Sequence, residues 1–357
     1  MQLFSPLRLG DVTVPNRIFM APLTRVRADE NHVASDLIVE HYRQRAAGGL
    51  LIAEATMVDP NARAFGLEPG IYSDAHAAGW KKVTDAVHAA GGRMALQLWH
   101  PGRATHQDLN HGQQPVSSSN KPIRDDVIHT PSGKQAYPAP RALRTDEIAH
   151  YVELFRQGAV RAKAAGFDFV EVHGAHGYLI DQFLRDGVND RTDRYGGSLE
   201  NRARFLFEVV DAVIGVLGAA RVGVRISPLV GYNDMADSNA PALVEYVARG
   251  LQQRGVAFLH LRAAKHDAPA EVELAHIARK NFSGVLIRNG GYTRDAAEAD
   301  LQAGLADAVA FGMPFIANPD LPARFAANAP LNSVDMATLY APGPKGYTDY
   351  PTLASVR

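Results

Sequence analysis

Residues 166–178 read Gly166-Phe-Asp-Phe-Val-Glu-Val-His173-Gly-Ala-His176-Gly-Tyr178, a glycine followed by a short apolar run and then by a cluster of polar side chains. The apolar run is rich in β-branched and aromatic residues, which is typical of a buried strand. The preceding segment, 146–165, has apolar residues at helical spacing, and Gly166 can end a helix in the left-handed conformation. Helix, glycine and strand form one unit of a larger pattern.

This unit recurs along the whole chain. Eight apolar runs are predicted as strands, at residues 17–23, 50–58, 93–99, 167–173, 222–227, 257–261, 285–288 and 308–311. Helical periodicity occupies 37–47, 75–90, 146–165, 199–217, 242–254, 271–280 and 295–303, and an eighth helix follows Pro319. Eight such units predict one α/β domain over 1–357, a single (β/α)8 TIM barrel. The alternative, an open doubly wound sheet, would need an edge strand with one polar face, and the sequence offers none.

Two segments interrupt the repeat. Residues 4–14, centred on Gly10-Asp11, predict an N-terminal β-hairpin that caps the bottom of the barrel. Residues 100–144, after the third strand, form a long connection rich in Pro, Gly, Ser and Asn. Because barrel active sites lie at the C-terminal ends of the strands, we interpret this loop as a lid, with a passive excursion as the alternative.

Composition excludes several classes of protein. The chain has 357 residues, 46% of them apolar and 21% charged, as in ordinary globular proteins. Its formal net charge of −1 gives no electrostatic reason to expect nucleic acid or a membrane as partner. The absence of cysteine excludes disulfides, thiolate catalysis and cysteine-held iron–sulfur clusters. With no signal peptide and no long apolar segment, we expect a cytoplasmic protein.

The polar cluster after the fourth strand is the first candidate for chemistry. His173 and His176 could together hydrogen-bond an oxygen on which negative charge develops during a reaction. The phenol of Tyr178 is protonated at neutral pH and could deliver a proton. Two alternatives remain open from these residues alone. The histidines could bind a metal together with a carboxylate such as Asp181 or Glu171, or could merely satisfy buried polar atoms.

Other strands also end in residues unsuited to an apolar core. Gln97 and Arg225 would be costly inside a barrel without partners, and their donors and acceptors suit the edge of a flat heterocycle such as an isoalloxazine. Alternatively, Arg225 could pair with Glu171 across the barrel. The seventh and eighth strands end in Asn289-Gly290-Gly291 and Phe311-Gly312-Met313, where small residues would let a phosphate approach the backbone.

Six segments carry a resemblance to a known family. They are the runs at 16–25, 97–103, 173–178, 189–202, 315–320 and 346–351, which occur in the right order and on the expected strands. Together they resemble the Old Yellow Enzyme family, and the likeness extends essentially from Phe4 to Pro351. The resemblance implies tightly bound, non-covalent FMN. It also implies reduction of that FMN by NADPH or NADH in a ping-pong cycle, and hydride transfer from flavin N5 to the β-carbon of an activated alkene. Substrates of this class are α,β-unsaturated aldehydes, ketones, imides and nitroalkenes.

The resemblance also implies roles for individual residues. Thr24 would bind the flavin C4 carbonyl, Gln97 the pyrimidine edge, and Arg225 the N1 and C2 region. Three groups of further residues carry over: the backbone of Pro22, Leu23 and Ala55 along the ring, Gly290, Gly291, Gly312 and Met313 at the phosphate, and Phe65, Trp99 and Tyr347 in the substrate pocket. His173 and His176 would grip the activating oxygen, and Tyr178 would donate the proton. Phe65 stands where some relatives have tyrosine, so a hydroxyl contact is absent there.

One departure from the family pattern concerns the phosphate. Relatives usually carry arginine after the glycine of the eighth-strand Phe-Gly motif, and this chain has Met313. Loss of a charge-assisted contact could weaken FMN binding by about 1.5–3 kcal/mol. Arg288, two residues before Gly290, could compensate by turning toward the phosphate. A flavin-binding sensor or scaffold without turnover is the alternative function, and a homo-oligomer is left open.

Overall fold

Eight parallel strands close into a barrel in the computed structural model, which describes residues 1–355. The strands are β1 (Ile18–Met20), β2 (Leu51–Met57), β3 (Met94–Trp99), β4 (Phe169–Gly174), β5 (Val222–Ile226), β6 (Phe258–Arg262), β7 (Val285–Asn289) and β8 (Ala308–Phe311). Each strand pairs with the next along the chain, and β8 returns to pair with β1. The predicted (β/α)8 barrel is confirmed.

Eight helices surround the barrel, one in each interval where a helix is predicted. They are α1 (Asp36–Arg43), α2 (Asp74–Ala89), α3 (Ile148–Ala164), α4 (Leu199–Leu217), α5 (Ala240–Arg254), α6 (Pro269–Asn281), α7 (Arg294–Gln302) and α8 (Leu321–Ala327). Gly255 ends α5 at φ 64°, a left-handed conformation that favours glycine. Two short helices, Leu179–Leu184 and Met313–Ala317, lie outside the predicted set.

The N-terminal hairpin covers the bottom of the barrel, as predicted. Its strands are Leu7–Leu9 and Val12–Val14, paired antiparallel. Leu7, Leu9 and Val14 are buried in one apolar cluster with inward-facing barrel residues such as Phe19. The hairpin therefore closes the end of the barrel opposite the strand C-termini.

The period of two along each strand decides which side chains face the barrel interior. In β6, Phe258 belongs to the interior cluster, whereas Leu259 and Leu261 pack with the surrounding helices. His260 and Arg262 therefore share the inward face with Phe258. The last inward residue of each strand stands at the mouth of the barrel.

The long connection after β3 has structure of its own. It contains the short parallel pair Val116–Ser117 and Arg141–Ala142 and an antiparallel hairpin, Val127–Thr130 with Gly133–Ala136. Ile123 is buried in an apolar cluster that also contains Ala55 and Tyr178, two of the predicted site residues. Tyr137 packs against the same cluster. The loop thus contacts the site, and its function as a lid stays a prediction. Over residues 1–355, no helix has the length and apolar character needed to cross a membrane.

Candidate active site

A cavity of about 790 Å³ opens at the C-terminal ends of the strands. Every barrel strand contributes to it a residue at or near its C-terminal end. The contributing residues, in strand order, are Ala21, Ala55, Gln97, His173, Arg225, Arg262, Asn289 and Ala310. The volume is within the range of small-molecule and cofactor sites, and the position is the one at which barrel enzymes hold their active sites.

A buried carboxyl group organises the floor of the cavity. Glu171 is fully buried, and its two oxygens accept hydrogen bonds from Gln97 Nε2 and His260 Nδ1, each at 2.7 Å. Because a carboxylate only accepts hydrogen bonds, the amide nitrogen of Gln97 must face Glu171. The amide oxygen of Gln97 is left for a donor in the cavity. The alternative pairing of Glu171 with Arg225 is not observed.

Arg225 brings to the same cavity a positive charge that forms no ion pair within residues 1–355. Its Nη2 donates to Asn289 Oδ1 at 2.9 Å, and Asn289 Nδ2 in turn donates to the carbonyl of Ala310 at 2.7 Å. Burial lowers the pKa of Arg225 to about 10, so the guanidinium is charged at neutral pH. Its Nε is buried and has no partner among the described residues. The cavity wall contains no Asp or Glu, so the site favours an electron-rich or anionic ligand.

His173, His176 and Tyr178 face the cavity together, as predicted. The ring of His173 lies 5.8 Å from that of His176 and 5.2 Å from that of Tyr178, both edge-on. His173 projects from β4, whereas the other two follow the strand in a tight turn. The three polar rings therefore converge on one small volume.

Backbone geometry explains how His176 reaches the cavity. His176 has a φ of 57° and Gly177 a φ of 71°, both in the left-handed region. The amide of His176 donates to Ser227 Oγ at 2.8 Å, and Asn233 Nδ2 donates to the carbonyl of His176 at 2.8 Å. Strained conformations of this kind persist where the surrounding structure enforces them, and they cluster at functional sites.

Burial sets the protonation of these three groups. It lowers the pKa of His173 and of His176 well below the usual value, and the charge of Arg225 lowers both further. It raises the pKa of Tyr178 well above 10, with Tyr232 and Tyr137 adding to the effect. At neutral pH the site therefore presents two neutral imidazoles and a protonated phenol, all able to donate hydrogen bonds.

Comparison with known proteins decides the family. The model of the NADH:flavin oxidoreductase / NADH oxidase family matches residues 2–332. This chain is a member of that family. A probable flavin mononucleotide-dependent alkene reductase of Leishmania infantum is 47% identical over 98% of this chain and 97% of its own length. 12-Oxophytodienoate reductase 1 of Oryza sativa subsp. japonica is 45% identical over 99% of this chain and 94% of its own length.

Solved structures agree with the assignment to the NADH:flavin oxidoreductases. Morphinone reductase in complex with tetrahydroNAD superposes with a TM-score of 0.95 at 48% identity, covering 99% of this chain and 98% of that one. The Old Yellow Enzyme homologue from Zymomonas mobilis has a TM-score of 0.95 at 43% identity, over 98% of this chain and 99% of that one. The resemblance to the Old Yellow Enzyme family is confirmed. The chain is an FMN-dependent oxidoreductase of the alkene reductase family.

Most of the predicted site residues of this oxidoreductase line the cavity. Besides the residues already placed, these are Pro22, Leu23, Thr24, Phe65, Gly291, Gly312 and Met313. Gly290 is not on the wall. It lies behind it, where an added Cβ would stand 2.8 Å from the carbonyl oxygen of Ala263.

The structure corrects the predicted position of two aromatic residues. Trp99 is fully buried behind the wall, edge-on to Tyr178 at 5.2 Å and stacked near Phe65 at 6.0 Å. It supports pocket residues without lining the pocket. Tyr347 is 0% exposed and lies away from the cavity, stacked on His41 at 4.0 Å. Tyr340, seven residues earlier, lines the cavity in its place.

Tyr347 is buried because the C-terminal tail is bound to the outside of the barrel by arginines. The guanidinium of Arg25 lies 5.0 Å from the ring of Tyr347 and that of Arg27 lies 4.6 Å from it. Arg25 also donates to the carbonyls of Leu339 at 3.0 Å and Gly346 at 2.7 Å. The sequence motif around Tyr347 therefore marks an anchor of the tail, and the anchor leaves Tyr340 at the cavity.

Arg288 is not available to the cavity. It faces outward from β7, pairs with Asp300 of α7, and donates to the carbonyl of His266 at 2.8 Å. The predicted compensation for Met313 by Arg288 would require both contacts to break. The two carboxyls considered as metal ligands also have other partners, since Asp181 accepts from the amide of Gly177 at 2.8 Å and Glu171 is engaged as described above.

Sequence reasoning missed several residues of the wall. They include Tyr232, Arg262, Tyr292 and Tyr340, whereas Asn289 was placed at the opening after the seventh strand without a role for its side chain. For Arg262 a signal existed. The alternation Phe258-Leu-His260-Leu-Arg262 places both polar residues on the face of the strand that carries Phe258. No comparable pattern in the sequence predicts that Tyr232 or Tyr340 lines the cavity, because both lie in irregular segments.

Proposed function

We propose that this oxidoreductase reduces carbon–carbon double bonds conjugated to a carbonyl, imide or nitro group, with NADPH or NADH as the source of electrons. The convergence of two neutral imidazoles and a protonated phenol on one cavity carries this proposal. Such donors suit a substrate whose oxygen gains negative charge as its double bond is reduced. The names of the relatives, an alkene reductase and 12-oxophytodienoate reductases, support the same class of reaction.

The residues of the cavity suit FMN. The free amide oxygen of Gln97 can accept from a ring N–H, and the unpartnered Nε of Arg225 can donate to a ring carbonyl. Thr24 can donate from a third direction, and the backbone of Pro22, Leu23 and Ala55 lines the remaining wall. When bound, FMN supplies the hydride that the alkene takes up, after reduction by the nicotinamide nucleotide.

His173 and His176 hold the activating oxygen of the substrate in this proposal. Both imidazoles are neutral, so each offers one N–H without the cost of burying a second charge beside Arg225. Preorganised donors of this kind strengthen their contact as negative charge develops on the oxygen. The Ser227 and Asn233 contacts to the backbone of His176 keep its ring in place.

Tyr178 delivers the proton to the α-carbon. Its phenol stays protonated over the physiological range because its pKa lies well above 10. The edge-on packing of Trp99 fixes the plane of the Tyr178 ring. The proton would reach the α-carbon from one face of the double bond, opposite the face at which the β-carbon would take up the hydride.

Turnover with a simple enone tests the overall function. The holoenzyme is incubated anaerobically with NADPH or NADH and cyclohex-2-en-1-one, and both nucleotide oxidation and cyclohexanone are measured. We expect nucleotide consumption that depends on the enone and matches the ketone formed. A flavoprotein that binds the enone but forms no cyclohexanone would instead be the sensor or scaffold.

A single substitution tests the proton donor. Tyr178→Phe removes the acid and should slow reoxidation of the flavin by cyclohexenone by roughly 100-fold or more. Reduction of the flavin by the nucleotide should change less than about twofold, since it needs no proton from Tyr178. Anaerobic stopped-flow absorbance separates the two half-reactions. Tyr246→Phe, which removes a hydroxyl from a ring packed on Phe207 outside the barrel, is the matched control. Equal slowing of both half-reactions would contradict the assignment.

A further inference from the structure

The phosphate end of the cavity lacks a positive charge of its own. In barrels of this type a phosphate is frequently held by the loops after β7 and β8. Here those loops read Asn289-Gly-Gly-Tyr-Thr293 and Phe311-Gly-Met-Pro314, with no Lys or Arg. Met313 in the loop after β8 is 40% exposed, at the position where the resemblance to the Old Yellow Enzyme family implies an arginine. The FMN phosphate, close to a dianion at neutral pH, therefore needs a cation from elsewhere.

Arg262 stands next to the loop after β7. It is the last residue of β6 and lies in register with Asn289 of β7. The amide of Ala263 donates to the carbonyl of Asn289 at 2.8 Å, and that of His266 donates to the carbonyl of Gly290 at 3.0 Å. Two hydrogen bonds thus join the loop after β6 to the loop after β7. Arg262 is held beside the glycine turn, and its side chain lines the cavity.

The guanidinium of Arg262 has no partner of its own. Its Nη1 is buried and donates a hydrogen bond to no group within residues 1–355. Arg262 forms no ion pair within that range. The negative charge of Glu271 acts on Arg262 but forms no ion pair with it among the described residues, and Glu271 accepts from the amide of Ala264 at 2.7 Å. The positive charge of Arg262 also lowers the pKa of Arg225, His176 and His260. A buried cation of this kind requires an anion to offset its desolvation.

We propose that Arg262 binds the phosphate of FMN and supplies the positive charge that the loops after β7 and β8 lack. Arg225 cannot bind both the flavin ring and the phosphate, because its hydrogen bond to Asn289 holds it deeper in the cavity. Arg288 is committed to Asp300 on the outside of the barrel. The proposal depends on FMN as the cofactor and does not depend on which alkene is reduced, so the two proposals fail independently.

Retention of FMN by the holoenzyme tests the contact. Equilibrium dialysis, followed by flavin fluorescence, gives the FMN dissociation constant of the wild type and of Arg262→Met. Loss of a charge-assisted contact should raise that constant at least about tenfold. Lys265→Met is the matched control, since it removes a positive charge from the same loop, where Lys265 is exposed and paired with Asp267. We expect the control to retain FMN as the wild type does.

Two further measurements distinguish the phosphate from the flavin ring. The ³¹P resonance of bound FMN should shift in Arg262→Met and not in Lys265→Met. The double variant Arg262→Met/Met313→Arg should regain most of the lost affinity, because it returns a guanidinium to the phosphate from the β8 loop. If Arg262→Met fails to fold, Arg262→Lys should shift the same resonance. An unchanged ³¹P resonance, or a double variant no tighter than Arg262→Met, would overturn the proposal. So would unchanged FMN retention with a raised KM for NADPH, which would assign Arg262 to the nucleotide.

Discussion

A buried histidine beside arginines is held neutral at the active site and again at the anchor of the C-terminal tail. At the active site, His173 lies near Arg225. At the anchor, His41 stacks on Tyr347 and its Nδ1 lies 3.0 Å from the carbonyl of that residue. In both places burial, reinforced by arginine charge, lowers the histidine pKa. Such a residue resists protonation in the folded state and not in the unfolded state.

His41 therefore makes a measurable contribution to the pH dependence of stability. The groups around it are Arg45, Arg25, Arg27, Tyr42 and Tyr347. Below pH 6.5 His41 is protonated in the unfolded chain but stays neutral in the folded chain. The free energy of unfolding therefore decreases as the pH falls. We expect the stability gap between the wild type and His41→Gln to narrow by about 1.4 kcal/mol per pH unit below 6.5.

Urea unfolding at pH 7.5, 6.5 and 5.5 measures that gap. Because both proteins share every other titrating group, the difference between their curves isolates His41. His129→Gln, at an exposed position of the hairpin after β3, is the control and should follow the wild-type curve. If the free energy of unfolding of His41→Gln changed with pH in parallel with that of the wild type, His41 would not resist protonation in the folded state.

Individual residues show where sequence reasoning succeeds and where it ends. His173, Gln97 and Arg225 could be placed at the cavity from the sequence because they are polar residues at the C-terminal ends of predicted strands, where barrel sites lie. Trp99 and Tyr347 were misplaced because an aromatic ring near a site can equally well support the wall or anchor a tail. Only packing distinguishes those outcomes.

At the scale of elements, the short helix Leu179–Leu184 connects the two loops that build the site. All six of its residues are buried, so it has no amphipathic pattern and the sequence did not predict it. Its Gln182 donates to the carbonyls of Gly177 at 2.7 Å and Pro101 at 3.0 Å, and accepts from Ser117 Oγ at 2.8 Å. One side chain thus ties the turn that carries His176 and Tyr178 to the loop after β3.

Gln182 should act as a positioning residue for Tyr178. Gln182→Leu leaves the carbonyl of Gly177 without a donor and the amide of Arg103 and hydroxyl of Ser117 without an acceptor. We expect it to lower the free energy of unfolding by about 2–4 kcal/mol. It should slow reoxidation of the flavin by cyclohexenone at least about tenfold, with FMN retention within twofold of the wild type. A purely structural effect would reduce both together. Gln253→Leu, on the exposed face of α5, is the control.

The long helices were predicted closely because each has a periodic apolar stripe and a marked end. The bounds of α4, 199–217, agree at both ends, with Ser198 as the N-cap and Gly218 after the last turn. The hairpin at 127–136 was not predicted, since it is mostly exposed and has no apolar alternation. A helix that buries one face leaves a periodic pattern in the sequence, whereas the fully buried helix Leu179–Leu184 and the exposed hairpin do not. The barrel strands bury both faces and were predicted from their continuous apolar runs instead.

At the scale of the whole molecule, the two ends of the barrel have different tasks. The bottom is filled by apolar side chains of the hairpin and the lower strands, whereas the top carries the unpaired polar groups of the cavity. The repeat of eight units predicted the closed barrel and hence the end at which the site lies. It could not predict which side chains of the irregular segments meet there, because those segments are positioned by tertiary contacts alone.

This division predicts that the bottom can be weakened without loss of the cofactor. Leu9 is fully buried between the hairpin and the barrel, so Leu9→Ala should lower the free energy of unfolding by about 3 kcal/mol. The FMN dissociation constant should stay within about twofold, because the hairpin contributes no residue to the cavity wall. Urea unfolding and equilibrium dialysis measure the two quantities on the same preparations. Arg8→Ala, at an exposed position of the same hairpin, should change stability by less than about 0.5 kcal/mol. A marked loss of FMN from Leu9→Ala would mean that packing at the bottom controls the geometry at the top, and the barrel would then transmit strain along its strands.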